Sequence, residues 1–464
     1  MSNKKPVKTI KRVKTGFLER RMELARAGVF SGTRALTHSA GNLFYSTEKR
    51  EQRKKKMLSE QAHYFVSEIS KLKGSVVKIG QMMALYGRYV LPDEVIEALS
   101  TLEEQTVAVS WPGIETALRE ALGDDILAEL EIDPVPLAAA SMGQVHKASR
   151  ISDGQALCIK VQYPGVAKSI DTDFNAVIRL LGLAKLIDIT TDMHQWLTEI
   201  RTTLHQEVDY CYEAQKTNRV REQLAADNRF VVPEVFSRYS CKTVLTTSFE
   251  SGISVNDTAA QELPLKRRNH IGQAMLDLFF IELFEWGEMQ TDPNFGNYRL
   301  RIDTESESDQ LVLLDFGAMR EFPDDFLQQF RGMIIGAHLH DRDMFVRNAI
   351  AMNFMQSHYP DTVLDNFAEL GFEVAEPLKQ DHSDTPQMAL NSQGEYRWHA
   401  SKLPKRAAKT AGKASLSSYF KLPPLDFMFM MRKLSGVYTF NLVLKAEFNG
   451  YPSLAPFLNN GDQQ

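Results

Sequence analysis

The sequence predicts an α+β protein with two lobes, because strand-like and helical patterns follow one another in blocks along the 464 residues. Short apolar runs over residues 136–161, interrupted by Gly143, are typical of strands and a hairpin. Apolar residues recur at helical spacing over residues 50–72. A second long amphipathic helix is expected over residues 265–286. A small β-containing lobe followed by a larger helical lobe accounts for this order.

The remaining elements complete this division. Ser110 is a candidate N-cap for a helix with Pro112 in its first turn. Residues 165–224 are predicted to be helical, and a last long helix is expected to begin after Pro424. Residues 376–418 are polar and lysine-rich, which indicates a loose insertion. We therefore divide the chain into a basic N-terminal segment (1–48), a helical extension (49–130), a β-containing lobe with a helical insertion (131–250), a helical lobe (251–375), a polar basic insertion (376–420) and a C-terminal helix and tail (421–464).

Composition narrows the classes of function. Hydrophobic residues form 43% of the chain and the formal net charge is −5, so bulk electrostatics do not favour a nucleic-acid-binding protein. Basic residues nevertheless cluster over residues 4–21 and 49–56. Such clusters can contact anionic lipid head groups, but a solvated helix face is the more frequent case.

Cysteine usage and hydropathy predict the compartment. The three cysteines Cys158, Cys211 and Cys241 lack the spacing of metal ligands, which indicates a reducing compartment. The N-terminus has no apolar core of a signal peptide, although its basic character leaves an organellar transit peptide open. No run of about 18 uncharged apolar residues is present. We expect a cytoplasmic protein whose contact with the inner membrane, if it has one, is peripheral.

Three motifs carry the chemistry. Lys160 lies within the apolar run 156–161, where a buried ammonium is costly unless it finds anionic partners such as phosphates. Asp315 follows the apolar run 311–314 and precedes Phe316 and Gly317, so a glycine-permitted turn can present its carboxylate to Mg²⁺. Each motif alone is weak evidence, since a lysine often ends a strand and a strand–turn–helix junction is common.

The third motif makes the combination specific. Residues 291–297 read TDPNFGN, and Asp292 and Asn297 stand five apart in a polar loop between a long helix and the strand before Asp315. This is the spacing of a kinase catalytic loop, in which the aspartate orients the attacking group and the asparagine binds metal. The order of lysine, loop and DFG tripeptide agrees with that reading, which predicts binding of ATP or ADP with Mg²⁺.

The chain resembles the ABC1/UbiB/ADCK family of atypical kinases in four further segments. Residues 78–81 read KIGQ, residues 137–147 read LAAASMGQVHK and residues 207–213 read EVDYCYE, similar to the family's KxGQ motif, alanine-rich loop and ExD segment. The final helix also has the family pattern at residues 432–434. The catalytic loop departs from the family's usual ADPHPGN at Thr291, Asn294 and Phe295, but it keeps the aspartate and the asparagine.

The resemblance implies a two-lobed protein-kinase-like fold and a role for each matching residue. Lys160 would hold phosphates and pair with Glu213, although the two could form a purely structural ion pair. Asn297 and Asp315 would bind Mg²⁺, and Asp292 would orient or deprotonate a nucleophile. The alanine-rich run would either contact nucleotide through its amides or form a packed turn without a ligand; it comprises Ala138, Ala139, Ala140 and Ser141.

The resemblance also places the N-terminal helical extension over the cleft as a lid. Lys78, Gly80 and Gln81 would lie on the lid helix, and Lys78 would pair with one of two carboxylates, Glu207 or Asp209. Without the resemblance, the sequence would predict only that Lys78 and Gln81 are ordinary surface residues.

The substrate class follows in part from the segment after Asp315. Few residues separate Gly317 from the helix start at Pro323, which leaves little room for a long activation loop or peptide platform. The resemblance implies an ATPase or a small-molecule or lipid kinase that supports ubiquinone or isoprenoid-lipid metabolism, with a quinone-related molecule as a further ligand. A protein kinase and a non-catalytic, nucleotide-dependent scaffold for membrane enzymes are the alternatives.

Overall fold

The structure is a computed structural model that describes residues 9–10, 47–70, 74–87, 91–102, 108–183, 186, 191–305, 308–415 and 423–458. The basic residues of the N-terminal cluster lie outside these described residues. The chain divides into two compact units. Unit 1 comprises residues 1–218 and 234–249, and unit 2 comprises residues 219–233 and 250–464. Residues 219–233, which lie inside the predicted segment 131–250, belong to unit 2.

The elements follow one another along the chain in this order. The helices are α1 (Thr47–Ser70), α2 (Ser75–Tyr86), α3 (Asp93–Ser100), α4 (Trp111–Leu122), α5 (Asp124–Leu127), α6 (Val166–Leu183), α7 (Thr191–Glu207), α8 (Tyr210–Gln223), α9 (Thr258–Gln261), α10 (Leu265–Phe284), α11 (Asp324–His338), α12 (Arg342–Ala351), α13 (Asp361–Val374), α14 (Leu403–Ser415), α15 (Leu425–Val443) and α16 (Tyr451–Leu458). The strands are β1 (Thr9–Ile10), β2 (Ala108–Val109), β3 (Leu130–Ala139), β4 (Gly143–Arg150), β5 (Ala156–Gln162), β6 (Phe230–Val231), β7 (Val244–Ser248), β8 (Glu288–Gln290), β9 (Tyr298–Arg301), β10 (Gln310–Leu313) and β11 (Met319–Glu321).

Unit 1 is built on a four-stranded antiparallel sheet in the order β3-β4-β5-β7. Strand β3 lies at the edge, where Pro134 and Pro136 can replace residues that would otherwise donate a ladder hydrogen bond. Its register with β4 shifts on both sides of Pro136. The sheet with the helices α1 to α8 confirms the predicted α+β class.

Unit 2 is mainly helical and surrounds α10. From Ile271 onward, most of α10 is buried. Its less buried residues Gln273, Asp277, Ile281 and Phe284 recur along one side of the helix, so the helix has the two-sided burial that an amphipathic helix shows, although Ile281 and Phe284 make its less buried side partly apolar. The rest of the circumference of α10 packs into the core of unit 2. Two small sheets flank it: β10 pairs in parallel with β6 and antiparallel with β9, and β11 pairs antiparallel with β8.

Two local expectations also need correction. The helix α4 begins where predicted, with proline in its first turn, but the side chain of Ser110 makes no capping hydrogen bond. Residues 376–418 are not a loose insertion in their described part, residues 376–415. Tyr396 and Trp398 belong to the core of unit 2, and Arg406 makes two hydrogen bonds to the carboxylate of Glu376. The lysine-rich composition of this segment reflects the exposed face of α14. The aromatic residues Tyr396 and Trp398, which precede α14, supply the buried surface.

None of the helices in the described part of the chain combines the length and the apolar character that a bilayer-spanning segment needs.

The packing of residues 376–415 predicts a large effect of Trp398→Ala. Trp398 is 3% exposed, its ring packs against Tyr396 and Phe448, and its indole N–H donates to the carbonyl of Phe448 at 3.2 Å. We expect the substitution to lower the free energy of unfolding by about 3–5 kcal/mol, measured by urea denaturation. Met388→Ala, at a side chain in the same segment that is 44% exposed, is the control and should change it by less than about 0.5 kcal/mol. If Trp398→Ala changed the free energy of unfolding as little as Met388→Ala, the segment would be the loose insertion that the sequence predicted.

Candidate functional site

Unit 1 holds the Lys160 ammonium against a buried carboxylate. Leu157, Ile159 and Val161 alternate along β5 and are buried, so Lys160 projects from the opposite face of the strand. Its Nζ lies 2.8 Å from each carboxylate oxygen of Glu213 on α8. The lysine side chain is 25% exposed and the glutamate 4%. The predicted ion pair is therefore formed, and the lysine side chain is only partly buried.

Tyr210 is a contributor that the sequence reasoning missed. Its ring centroid lies 5.2 Å from Nζ of Lys160, a cation–π distance that stabilises the ammonium. Tyr210 begins α8 three residues before Glu213, and residues so spaced share one helix face. This spacing is the signal that could have identified it.

The alanine-rich run is mostly strand. Ala138 and Ala139 pair with Val145 and Gln144 as the last residues of β3. Ala140 and Ser141 form the turn, in which the Ala140 amide donates to the carbonyl of Gly143 at 2.8 Å. The amide of Ala140 is therefore already bonded within the hairpin, and contacts between this run and a nucleotide stay a prediction.

Gly143 has a packing role in this sheet. It lies within β4 and pairs with Gln162. A Cβ atom at this position would lie 2.7 Å from the carbonyl oxygen of Val161 and 2.8 Å from the hydroxyl of Tyr210. A glycine here lets β4, β5 and the start of α8 approach closely, next to Lys160.

The KxGQ residues lie on α2. Lys78 Nζ lies 2.5 Å from Glu207 Oε1 at the end of α7, which confirms the predicted charge pair. Gln81 donates to the carbonyl of Leu102 at 3.0 Å. A Cβ atom at Gly80 would lie 2.3 Å from a methyl carbon of Leu102, so the glycine allows α2 to pack closely. These contacts fix α2 within unit 1, and its role as a lid stays a prediction.

Two further groups anchor these helices. Ser75, at the start of α2, hydrogen-bonds to the buried carboxylate of Asp173 and to Ser169 on α6. Asp209 precedes α8, and its Oδ1 accepts hydrogen bonds from the amides of Cys211 and Tyr212 at 3.1 and 3.3 Å. Asp209 therefore satisfies amides at the start of the helix that carries Glu213.

Unit 2 carries the loop 291–297 between β8 and β9. The amide and the hydroxyl of Thr291 both donate to the carbonyl of Ala318 at 3.0 Å. The side-chain amide of Asn297 donates to Asp292 Oδ2 at 3.1 Å and to the Asp292 carbonyl at 3.2 Å. The predicted pair of Asp292 and Asn297 is thus joined directly across the loop.

Asn297 and Asp315 lie at neighbouring strand ends. Tyr298 pairs with Leu313, and the amide of Leu314 donates to the carbonyl of Asn297 at 2.9 Å. Because the nitrogen of the Asn297 side chain donates to Asp292, its oxygen is the atom suited to a metal ion. Asp315 Oδ1 accepts from the amide of Gly317 at 3.0 Å, which turns the chain after β10.

The residues present fit Mg²⁺ that arrives with a nucleotide. Within the described ranges, no group of three or more His, Cys, Asp or Glu side chains could hold a metal ion by itself. One carboxylate and one amide oxygen suit Mg²⁺, which commonly takes its other ligands from water and substrate phosphates.

The departures in the loop have packing roles. The side-chain oxygen of Asn294 accepts from the amide of Gly296 at 2.8 Å and so shapes the turn. The ring of Phe295 packs edge-on against Phe440 on α15, with centroids 5.9 Å apart. Neither Asn294 nor Phe295 takes part in the hydrogen bonds between Asp292 and Asn297, so these two departures from the family's usual loop leave that pair intact.

Arg432 on α15 is the second residue that sequence reasoning did not place at the site. Its Nη2 lies 2.8 Å from Asp292 Oδ1, and its side chain is 19% exposed. The resemblance marked residues 432–434 without a role. No local pattern connects two residues 140 positions apart.

Comparisons with known proteins give a family model and several relatives. The model of the ABC1 atypical kinase-like domain matches residues 101–349, more than half of the 464-residue chain. Atypical kinase coq-8, mitochondrial, of Caenorhabditis elegans is 29% identical over 395 residues, which cover 85% of this chain and 50% of that protein. Atypical kinase COQ8, mitochondrial, of Saccharomyces cerevisiae is 30% identical over 318 residues, which cover 68% of this chain and 62% of that protein. The chain therefore spans between half and about three fifths of these relatives.

The fold is also similar to a solved structure, the complex of Rv3197 with erythromycin from Mycobacterium tuberculosis. The TM-score is 0.59, the sequence identity is 20%, and the match covers 89% of this chain and 100% of the other. With the family match, this likeness confirms the predicted kinase-like fold.

The ion pair in unit 1 predicts a stability effect that does not depend on nucleotide. Lys160→Met removes the cation beside a carboxylate that is 4% exposed. We expect the free energy of unfolding to fall by about 2–3 kcal/mol, less than for a fully buried pair because the lysine is partly solvated. Denaturant unfolding of Lys160→Met, Glu213→Leu and the double variant measures this. The double variant should be more stable than the Lys160→Met variant, and strictly additive losses would show that the two groups are not coupled.

Proposed function

The chain belongs to the ABC1 atypical kinase-like family, and on that premise we propose that it binds ATP or ADP with Mg²⁺. We further propose that it acts as an ATPase or as a small-molecule or lipid kinase in ubiquinone or isoprenoid-lipid metabolism. The loop in unit 2 carries the proposal. Asp292 and Asn297 are hydrogen-bonded to each other. The carbonyl of Asn297 also accepts a hydrogen bond from the amide of Leu314, the residue before Asp315.

Each residue has one proposed task. Lys160 contacts phosphate oxygens, and Glu213 holds its ammonium in place. The side-chain oxygen of Asn297 and the carboxylate of Asp315 bind Mg²⁺, which supplies charge neutralisation at the phosphates. Asp292 orients the water or hydroxyl group that attacks the terminal phosphate and receives its proton. As the new P–O bond forms, the bond from that phosphorus to the bridging oxygen breaks, and ADP leaves with the electron pair.

The segment after Asp315 supports a small acceptor. Strand β11 (Met319–Glu321) pairs with β8 soon after the DFG tripeptide, and α11 begins at Asp324. The chain thus returns to regular structure within a few residues, which leaves no long loop for docking a peptide. This favours water or a small molecule as acceptor over a protein side chain.

A peripheral place at a membrane is part of the proposal. The second basic cluster lies at the start of α1, where Lys55 and Lys56 are exposed, and such residues attract anionic lipids. The two relatives compared above carry mitochondrial names. We propose that the chain acts on the cytoplasmic side of an inner membrane and contacts it only from the surface.

The proposed nucleotide site predicts magnesium-dependent stabilisation. At a nucleotide concentration 100 times the Kd, ATP or ADP with Mg²⁺ should stabilise the wild type by about 2.7 kcal/mol, measured by thermal unfolding. Lys160→Ala and Asp315→Asn should weaken this stabilisation because they remove a phosphate contact and a metal ligand. Asp384→Asn, at an exposed carboxylate in unit 2, is the matched control and should respond like the wild type. If millimolar nucleotide has no effect on the wild type, the proposed function is wrong.

Turnover separates the enzymatic proposals from a scaffold. Released phosphate should fall on the order of 100-fold in Asp315→Asn, the size typical of losing one group that stabilises transition-state charge. Radiolabelled ATP, incubated with and without anionic vesicles, shows whether phosphate goes to water, to a lipid extract or to the protein. Binding without turnover under all these conditions would favour the scaffold, and label on the protein would favour the protein kinase.

A further inference from the structure

One face of α15 contacts the loop 291–297 at three successive turns of the helix. Arg432 Nη2 lies 2.8 Å from Asp292 Oδ1. A Cβ atom at Gly436 would lie 2.1 Å from Cβ of Pro293, so the glycine lets the helix approach the loop closely. Phe440 then packs against Phe295 and against Tyr298, the residue after Asn297.

The spacing makes these contacts one surface. Residues 432, 436 and 440 recur every four positions and lie above one another on a helix. They meet residues 292, 293 and 295 in the same order. We call this surface, formed by Arg432, Lys433, Gly436 and Phe440, the loop seat.

Lys433 joins the loop seat to the centre of unit 2. Its Nζ lies 3.2 Å from the hydroxyl of Tyr298 and 3.1 Å from Glu282 on α10. The side chains of Lys433 and Glu282 are 1% and 3% exposed. Burial alone would lower the pKa of Lys433, but the charge of Glu282 raises it above its ordinary value, so the ammonium stays charged. The far end of the loop is therefore fixed to the central helix.

The carboxylate of Asp292 is fixed at both oxygens by these contacts. Oδ2 accepts from Asn297 at 3.1 Å, and Oδ1 accepts from Arg432 at 2.8 Å. Without the guanidinium, the carboxylate can rotate about its side-chain bonds. A group that must orient a nucleophile loses rate steeply when it moves by about 1 Å.

We propose that Arg432 is a positioning residue for the reaction at Asp292, and that α15 supplies the loop seat on which the catalytic loop depends. The loop seat lies outside the residues 101–349 that match the domain model. The proposal rests on the proposed function for the reaction itself, but the positioning of the loop is a property of the protein without nucleotide.

Kinetics of ATP hydrolysis test the positioning role. Arg432→Met should lower kcat by about 100-fold while the Kd for ATP stays within about twofold of the wild type. Arg432→Lys should recover part of the loss, because it keeps the charge but not the planar fork of donors. The control is Arg406→Met, which removes an arginine paired with Glu376 elsewhere in unit 2, and it should leave kcat unchanged. A kcat of Arg432→Met equal to that of Arg406→Met would overturn the proposal.

Hydrogen exchange tests the loop seat without any turnover. Peptides covering residues 288–300 of the nucleotide-free protein should exchange faster in Arg432→Met and in Gly436→Ala than in the wild type. Arg406→Met should match the wild type in these peptides. Unchanged exchange in both loop-seat variants would refute the loop seat, whether or not the wild type hydrolyses ATP. A wild type that shows no turnover but a protected loop would refute only the proposed function.

Discussion

The carboxylate of Asp292 is held from two directions, by Asn297 within its own loop and by Arg432 from α15. This double attachment requires three elements to meet: the loop after β8, the start of β9 and a helix that comes late in the sequence. The buried contact of Lys433 with Glu282 holds that helix against α10. A charged pair with so little exposure is a costly way to stabilise a core, which fits a contact whose task is to fix geometry.

Unit 1 uses the same kind of constraint with different elements. Strand β5 presents Lys160, and α8 brings Glu213 and Tyr210 to it. Asp209 satisfies amides at the start of α8, while Lys78 joins α2 to the end of α7. Each cation is thus paired by the fold before any ligand arrives, so binding a phosphate need not first order the lysine.

The sequence predicted the features whose cause is local. The apolar run 156–161 predicted that Lys160 needs an anionic partner, and the five-residue spacing predicted that Asp292 and Asn297 act in one loop. It missed Arg432, because nothing near residue 432 encodes a contact with a loop 140 residues earlier. It did not reveal the packing role of Gly143, because the close approach to Tyr210 is a tertiary property. It misread residues 376–415 because composition reports the exposed lysines but not the burial of Tyr396.

The central claim is that unit 2 binds Mg²⁺ through Asn297 and Asp315 when a nucleotide is present. The most direct measurement is a crystal structure of the wild type grown with Mg²⁺ and a non-hydrolysable ATP analogue. We expect a metal ion at about 2.0–2.1 Å from the side-chain oxygen of Asn297 and from a carboxylate oxygen of Asp315, with the Asp292–Arg432 contact retained. A nucleotide bound with no metal at these two side chains, or a metal held by other residues, would contradict it.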